Sequence, residues 1–343
     1  MPHKTFLAFI LPSIIAMVLF IALPIISVAV QSLYVEHDKV LVTVENCQPL
    51  GGCTTETVVD SEATAKLKAV APLGEFNGLG TYFNHAHLAI DEVAEIVSDN
   101  TGFADIVARL YNLPFYRALS FTLAYCFIVT PLAMLLGFLI ALAINMVPRL
   151  LKGPVIFFSL LPMIITPLIG SLILYWMISA EGILGVGLKW LFSDPTLSLK
   201  SSLPLTWITL IIYGIWTNAP FSFVVFYAGL QTVPGDTMES AMIDGASRWE
   251  RIRYVVMPHL RPLATFVALV QLMDNFRVFE PIVGLSAQAN ATSLSFAIFN
   301  DLRNQNAQQY GSAATTSMLT IIGVIILLMP VLIRTWREYH QKS

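Results

Sequence analysis

Apolar residues gather along this chain in six long blocks: roughly Phe6–Leu33, Ala118–Val147, Val155–Ile178, Leu205–Leu230, Leu263–Leu285 and Ala313–Ile333. Each is near or above the ~20 mostly apolar residues that a helix needs to cross a bilayer. The pattern therefore predicts an all-α integral membrane protein with six transmembrane helices. The first block is too long in its apolar core for a signal peptide and is followed by no small-x-small cleavage site, so it reads as an uncleaved anchor.

Polar residues between the blocks set the orientation. One set of connections carries Lys4; Arg149 and Lys152; Arg248, Arg251, Arg253 and Arg261; and Arg334, Arg337 and Lys342. The other carries Glu181, Asp194 and Asp301, with Lys189, Lys200 and Arg303. Basic residues in short loops stay in the cytoplasm, so both termini and segment 231–262 are expected there. The chain then divides into a cytoplasmic N-terminus with the first helix (1–33), an enlarged periplasmic loop or cap (34–117), a five-helix core (118–334) and a cytoplasmic tail (335–343).

The segment 34–117 is acidic through "DEVAEIVSDN" and broken by Gly and Pro at "PLGEFNGLG". It predicts a small outer cap with some helix around 87–110. His85 and His87 form an H-x-H pair with no further ligands in sequence, which favours a solvated loop over a metal site. Cys47 and Cys53 bracket a tight "NCQPLGGC" turn. On the outer side of the membrane a disulfide between them is the favoured reading, with a free pair as the alternative.

Composition narrows the class further. The chain has 343 residues, 56% hydrophobic and 12% charged, where soluble domains carry about 25% charged residues. A net charge of −3 and the absence of basic runs interleaved with aromatics give nucleic-acid binding little support. No G-x-x-x-x-G-K-[ST] phosphate loop and no recognisable nucleophile set occur in the sequence, so any ATP chemistry must belong to another chain.

Segment 231–262 is the polar exception in the second half. In "PGDTMESAMIDGASRWERIRYVVMP", Pro234 and Gly235 end the preceding block, and Asp236 or Thr237 is placed to cap a short helix. Gly245 permits a reversal through positive φ, and Ser247 is placed to cap a second helix running to Met257, with Pro258 beyond it. Trp249, Ile252, Val255 and Val256 give that second helix one apolar face. The residues alone leave two readings open, an interfacial helix whose arginines meet lipid head groups and a docking element for another protein.

The same segment resembles the cytoplasmic EAA loop of permease subunits in binding-protein-dependent ABC importers. That pattern runs E-A-A, three positions, G, then an Ile and a Pro further on. Glu239, Ala241, Asp244, Gly245, Ala246, Trp249, Val255, Pro258 and Pro262 fall in register, while Ser240 replaces the first Ala and Ile252 stands where Phe is frequent. Four further stretches resemble the carbohydrate branch of the family: "FNGLGTYFN" (76–84), "PFYRALSFTLAY" (114–125), "FYAGLQTVPGDTMESAMIDGAS" (226–247) and "DNFRVFEPIV" (274–283). The glycine-rich "T-G-G-G-P" usual after the last is replaced by "GLSAQANATS", and the insert around 36–75 lies outside the usual pattern.

The resemblance implies a division of labour. A second permease subunit, expected to be a different chain, would share the pathway. An ABC ATPase dimer would bind ATP and Mg and dock on the EAA loops, and a periplasmic solute-binding protein would deliver the solute. This chain would bind no cofactor of its own and would act as a transporter subunit in the inner membrane, not as an enzyme. Helix 236–244 would be the coupling helix, with Glu239, Ala241, Asp244, Gly245, Ala246 and Pro258 as its docking set.

Candidates for the solute pathway come from polar and aromatic residues within the blocks. Charges inside a span are expensive and mark either a pathway or a pair. The fifth block contributes Gln271, Asp274, Asn275, Arg277 and Glu280; Asp274 with Arg277, or Arg277 with Glu280, could form a structural ion pair. Amides can both donate to and accept from sugar hydroxyls, and Trp216 and Phe221 beside Asn218 offer faces on which a sugar ring can stack. A sugar, oligosaccharide or sugar derivative is the expected solute. A glycerol phosphoester or an amino acid in the same fold is the alternative, and an ion-coupled secondary transporter using Asp274 and Glu280 is a more distant one.

Overall fold

The computed structural model describes residues 3–48, 52–99, 102–200, 202–303 and 308–340. Five helices among them are long and apolar enough to cross a membrane: Phe9–Gln31, Pro114–Met146, Leu203–Leu230, Arg248–Phe276 and Tyr310–Arg337. A bent pair, Arg149–Ile164 and Pro167–Ile178, whose axes differ by 96°, makes a sixth when its two helices are taken together as one span. The third apolar block, Val155–Ile178, is thus broken in its middle. Its break has a local cause: Pro167 lacks an N–H and disfavours helical geometry before it, and Ile165 and Thr166 are extended at ψ 126° and 141°.

The chain forms two compact units. One comprises Met1–Tyr116 with Ala297–Ile321, the other Arg117–Phe296 with Ile322–Ser343.

In the first unit, the opening span widens into a π-helical turn at Val18–Ala22, directly before Pro24. A π turn shifts the backbone bonds to i−5 and relieves the clash of a mid-helix proline with the carbonyl of residue i−4. Beyond the span comes an antiparallel hairpin, Leu41–Gln48 with Gly52–Val59, in the register Leu41↔Val59 to Gln48↔Gly52. This hairpin was not expected, although the β-branched runs "LVTV" and "TTETVV" carry its signal. Cys47 and Cys53 face each other in the backbone register; their side chains lie outside the described residues.

Helices Ser61–Val70, Ile90–Ser98 and Phe103–Asn112 complete the insert, the last two falling in the stretch expected to be helical. Asp60 caps the first of the three, accepting from the Glu62 and Ala63 amides at 2.9 and 3.0 Å. His85 and His87 diverge. His85 meets Glu92 at 2.8 Å on the surface, while His87 is buried against Asn84, Ser312 and Thr316.

The second unit is organised around two buried clusters. One joins Phe121, Tyr125 and Val129 to Leu210, Ile282 and Leu285. The other joins Ala141 and Ile144 to Phe223, Phe226, Val256 and Leu260. Where the second span crosses the fourth, a Cβ added to Gly137 would lie 2.5 Å from Ser222 Cβ and 2.6 Å from the Phe223 nitrogen. Only a residue without a side chain allows that approach.

The fifth span departs from expectation at both ends. It begins at Arg248, not Leu263, because the expected surface helix runs on into it through a π turn at Ile252–Val256. That turn precedes Pro258 as the earlier one precedes Pro24, so Pro258 does not end the helix. At the other end the helix stops at Phe276, and a short helix Glu280–Gly284 follows after a break. Pro281 cannot donate back to the Arg277 carbonyl, which removes one bond a continuous helix would need.

Candidate functional site

The loop after the fourth span builds its helix from Gly235 to Ile243, with Pro234 at the N-cap and no side-chain cap. The expected capping by Asp236 or Thr237 is therefore not found. A proline sets the entry dihedral instead. At the other end the Gly245 amide donates to the Met242 carbonyl at 3.1 Å and the Ala246 amide to the Ala241 carbonyl at 3.0 Å. These paired bonds close a Schellman turn, and they require the φ of +80° that Gly245 adopts.

Ser247 then starts the next helix with a capping box. Its hydroxyl accepts from the Glu250 amide at 3.4 Å, and its own amide donates to the Glu250 carboxylate at 2.7 Å. The apolar face expected on this helix divides: Val256 is buried while Trp249 is exposed.

The short helix has an inner and an outer side. Met238 packs on the buried cluster of Phe223, Phe226, Val256 and Leu260. Met242 and Ile243 point outward, Ile243 with 86% of its surface exposed. Glu239, Asp244, Gly245 and Pro258 are exposed, and Ala241 and Ala246 are half-buried. One side chain thus ties an exposed knuckle to the bundle interior.

The pathway candidates fall into separate groups. Gln271 is buried, and its amide nitrogen donates to Ser222 Oγ at 2.8 Å and to the Asn218 carbonyl at 2.9 Å. Its carbonyl oxygen, Oε1, has no partner among the described residues. Asn218 itself donates to the Gly214 carbonyl at 2.8 Å. One turn from Gln271, Asn275 of the fifth span is buried and donates to Oγ1 of Thr130 on the second span at 2.9 Å. Asp274 and Arg277 pair at 3.0 Å, each more than half exposed, so solvent or head groups would screen this bond and make it worth little.

The aromatic candidates lie elsewhere on the fourth span. Trp216 sits 6.1 Å from the Tyr213 ring and lines a cleft of about 350 Å³ with Phe158, Pro162 and Pro220. Phe221 meets Phe266 at 6.4 Å. Glu280 lies past the helix break, and its backbone carbonyl accepts from Ser171 Oγ at 3.2 Å. Ser293 Oγ donates to the Val278 carbonyl at 2.5 Å. Hydroxyls thus satisfy the unwound backbone, as irregular structure within a bilayer requires.

Ser222, Thr130, Ser171 and Ser293 were not among the sequence candidates. Ser222 had a usable signal, since it stands four residues after Asn218 on one helix face. The other three meet their partners only through tertiary folding.

Residues 101–342 match the family model described as the binding-protein-dependent transport system inner membrane component. The chain belongs to this family. It is an inner-membrane component of an ABC importer, and every loop and pathway residue described above falls within the matched range. The hairpin and helix Ser61–Val70 lie outside it. Relatives include the trehalose/maltose transport system permease protein MalF of Thermococcus litoralis, 26% identical, over 72% of this chain and 83% of that one. The sn-glycerol-3-phosphate transport system permease protein UgpA of Rhizobium meliloti is 24% identical, over 65% and 77%. A bacterial alginate ABC transporter, solved in complex with an alginate pentasaccharide-bound periplasmic protein, has a chain of the same fold. Its TM-score is 0.57 at 21% identity, covering 79% of this permease and 94% of that chain.

Proposed function

We propose that this permease imports a sugar, oligosaccharide or sugar derivative, received from a periplasmic binding protein and driven by separate ATPase subunits. The observation that carries the coupling half is the knuckle at Gly235–Ile243, anchored inward by Met238 and presenting Ile243 outward. Exposed apolar residues on a rigid loop suit a protein groove. ATP and Mg would be held by the partner dimer, and this chain would bind no cofactor and catalyse no bond chemistry. Both termini would be cytoplasmic, and the second permease would be a different chain. Rigid-body motion of the docked ATPases would pass through Met238 to the fourth and fifth spans.

The carbohydrate half rests on the relatives named for sugars and on buried amides. Gln271 Oε1 is a buried acceptor with no partner among the described residues, and a solute hydroxyl would donate to it once the spans move apart. The UgpA relative supports one competing reading, a glycerol phosphoester. A pull-down of the tagged chain from native membranes tests the assembly: an ATPase and a second permease should co-purify, and Gly245→Trp should lose the ATPase. Binding of sugars, glycerol phosphoesters and amino acids to the periplasmic binding protein that supplies this permease then decides the solute. A chain that comes down alone and moves solute on an ion gradient would overturn the reading.

A further inference from the structure

The insert around 36–75 lies before the matched family range, and it builds a groove of about 450 Å³, a size typical of ligand sites. Helix Ser61–Val70 supplies one wall, where Thr64, Ala65 and Lys68 share a face. Gln31 at the end of the first span, Glu36 and Lys39 beyond it, and Gln308 and Tyr310 at the start of the last span line the rest. All of them belong to the first compact unit. Past Lys39 and Gln308 the groove continues into a second cleft of about 880 Å³, which adds Asn84, Gln309 and Asp38.

Most charges around the first cleft are already matched. Glu36, the one carboxylate among the described residues lining it, accepts from the Gly311 amide in the first turn of the last span, where the helix dipole also favours it. His37 donates to the Ala71 carbonyl at 3.1 Å, and Lys66 pairs with Glu62 at 2.8 Å. Lys39 and Lys68 are exposed and make no ion pair among the described residues. Tyr310 keeps 48% of its surface open and donates its hydroxyl proton to Gln308 Oε1 at 2.6 Å. That bond leaves the Gln308 N–H groups to donate. Gln31 has the opposite polarity: its amide nitrogen donates to the Leu73 carbonyl at 3.3 Å, and its carbonyl oxygen remains to accept.

We propose that this groove binds an acidic saccharide, with a carboxylate-bearing ring between Lys39 and Lys68 and its face on Tyr310. Ammonium groups are mobile point charges that suit a single carboxylate. The Gln308 amide and the Gln31 carbonyl supply a donor and an acceptor, the pair that a sugar hydroxyl needs, and an aromatic face covers the apolar side of a ring. Asp38 lies in the second cleft, so the charged ring belongs in the first, and the amides of Asn84 and Gln309 face a further ring. A free phosphate would use the lysines but gain nothing from the tyrosine. The insert thus acquires a binding role of its own, one that does not depend on which solute is carried.

Calorimetric titration of the purified transporter with trigalacturonate tests it, with maltotriose and inorganic phosphate as comparison ligands. Neither ATP nor the binding protein is added, so the result stands apart from the proposed transport function. Wild type should bind trigalacturonate severalfold more tightly than either comparison ligand, and the affinity should fall as salt is raised past ~0.15 M. Lys39→Gln and Lys68→Gln should each weaken binding about threefold, while Lys66→Gln, whose lysine is paired with Glu62, should not. Tyr310→Leu should weaken binding but leave its salt dependence unchanged, a split that loose attraction between charges would not produce. Equal affinity for maltotriose or phosphate, or full affinity in the double lysine variant, would overturn the proposal. So would a wild-type transporter that binds none of the three. If the lysine variants fail to assemble, Tyr310→Leu and the salt series on wild type decide, and an unchanged affinity in either sinks the idea.

Discussion

Gln271 on the fifth span donates to Ser222 Oγ on the fourth at 2.8 Å, and both side chains are completely or almost completely buried. The second span reaches the same point, where Gly137 lies against Ser222. Three spans therefore meet at a polar contact whose remaining acceptor, Gln271 Oε1, has no partner among the described residues. Interhelical hydrogen bonds in membranes contribute only about 0.6 kcal/mol each, so stability alone is a weak reason to bury an amide there.

Gln271→Leu separates the two roles. If the amide serves the solute, uptake should fall severalfold while thermal unfolding in detergent moves by only a degree or two, in line with ~1 kcal/mol. Uptake at the wild-type rate would leave Gln271 as a packing residue and nothing more.

Gly137→Val tests the crossing itself. The added carbons would press on Ser222 and the Phe223 backbone, and overpacking of this kind costs ~1–3 kcal/mol. Gly187→Val is the comparison, because a Cβ at Gly187 meets no atom within 4 Å. The first variant should lose folded yield and unfold earlier; the second should not. Equal behaviour of the two would contradict the close approach.

Gly245 separates conformation from docking. A Cβ there meets nothing within 4 Å, yet φ is +80°, so Gly245→Ala should cost ~1–2 kcal/mol of local backbone strain. Gly245→Trp adds bulk on the exposed side. The assembled transporter should tolerate alanine partly, with reduced ATPase coupling, and lose the ATPase with tryptophan. Identical losses in both would assign the effect to the turn, not to a docking surface.

How much of this was legible in the sequence varies by element. The loop was readable because its signals are local: Gly245 for the reversal and Ser247 for the cap. The six apolar blocks were readable for the same reason, since each is a single run. The ends of the fifth span were not. Pro258 marks a helix end in ordinary chain, and only the π turn before it removes the conflict. The break at Arg277 was hidden because the apolar residues Val278, Ile282, Val283 and Leu285 continue past it. The Gln271–Ser222 contact joins positions 49 residues apart, and no spacing rule connects them.

His87 supplies a pH dependence in the outer insert. Its ring lies 2.8 Å from Asn84 Oδ1 through Nδ1 and 3.1 Å from Thr316 Oγ1 through Nε2. Nε2 also lies 3.2 Å from the Ser312 carbonyl, which can only accept, so the ring donates there. Burial holds its pKa below 6.5, against the opposing pull of the Ser312 carbonyl and the Asp301 charge. Asp301 is held above 3.8, first by burial, although it accepts from Ser312 Oγ at 2.7 Å. The signs then follow from linkage. A histidine depressed in the fold contributes fully above about 6.5, and its contribution is lost as pH falls through that value toward the folded one. Asp301 acts in the opposite sense and lower, between its raised value and 3.8. Hydrogen exchange over residues 80–98 and 310–321 should therefore lose protection between pH 7.5 and 5.5, after correction for the intrinsic rate. His87→Gln should flatten that loss. Every other histidine is retained, so an unchanged slope in the variant would exclude His87 as its source.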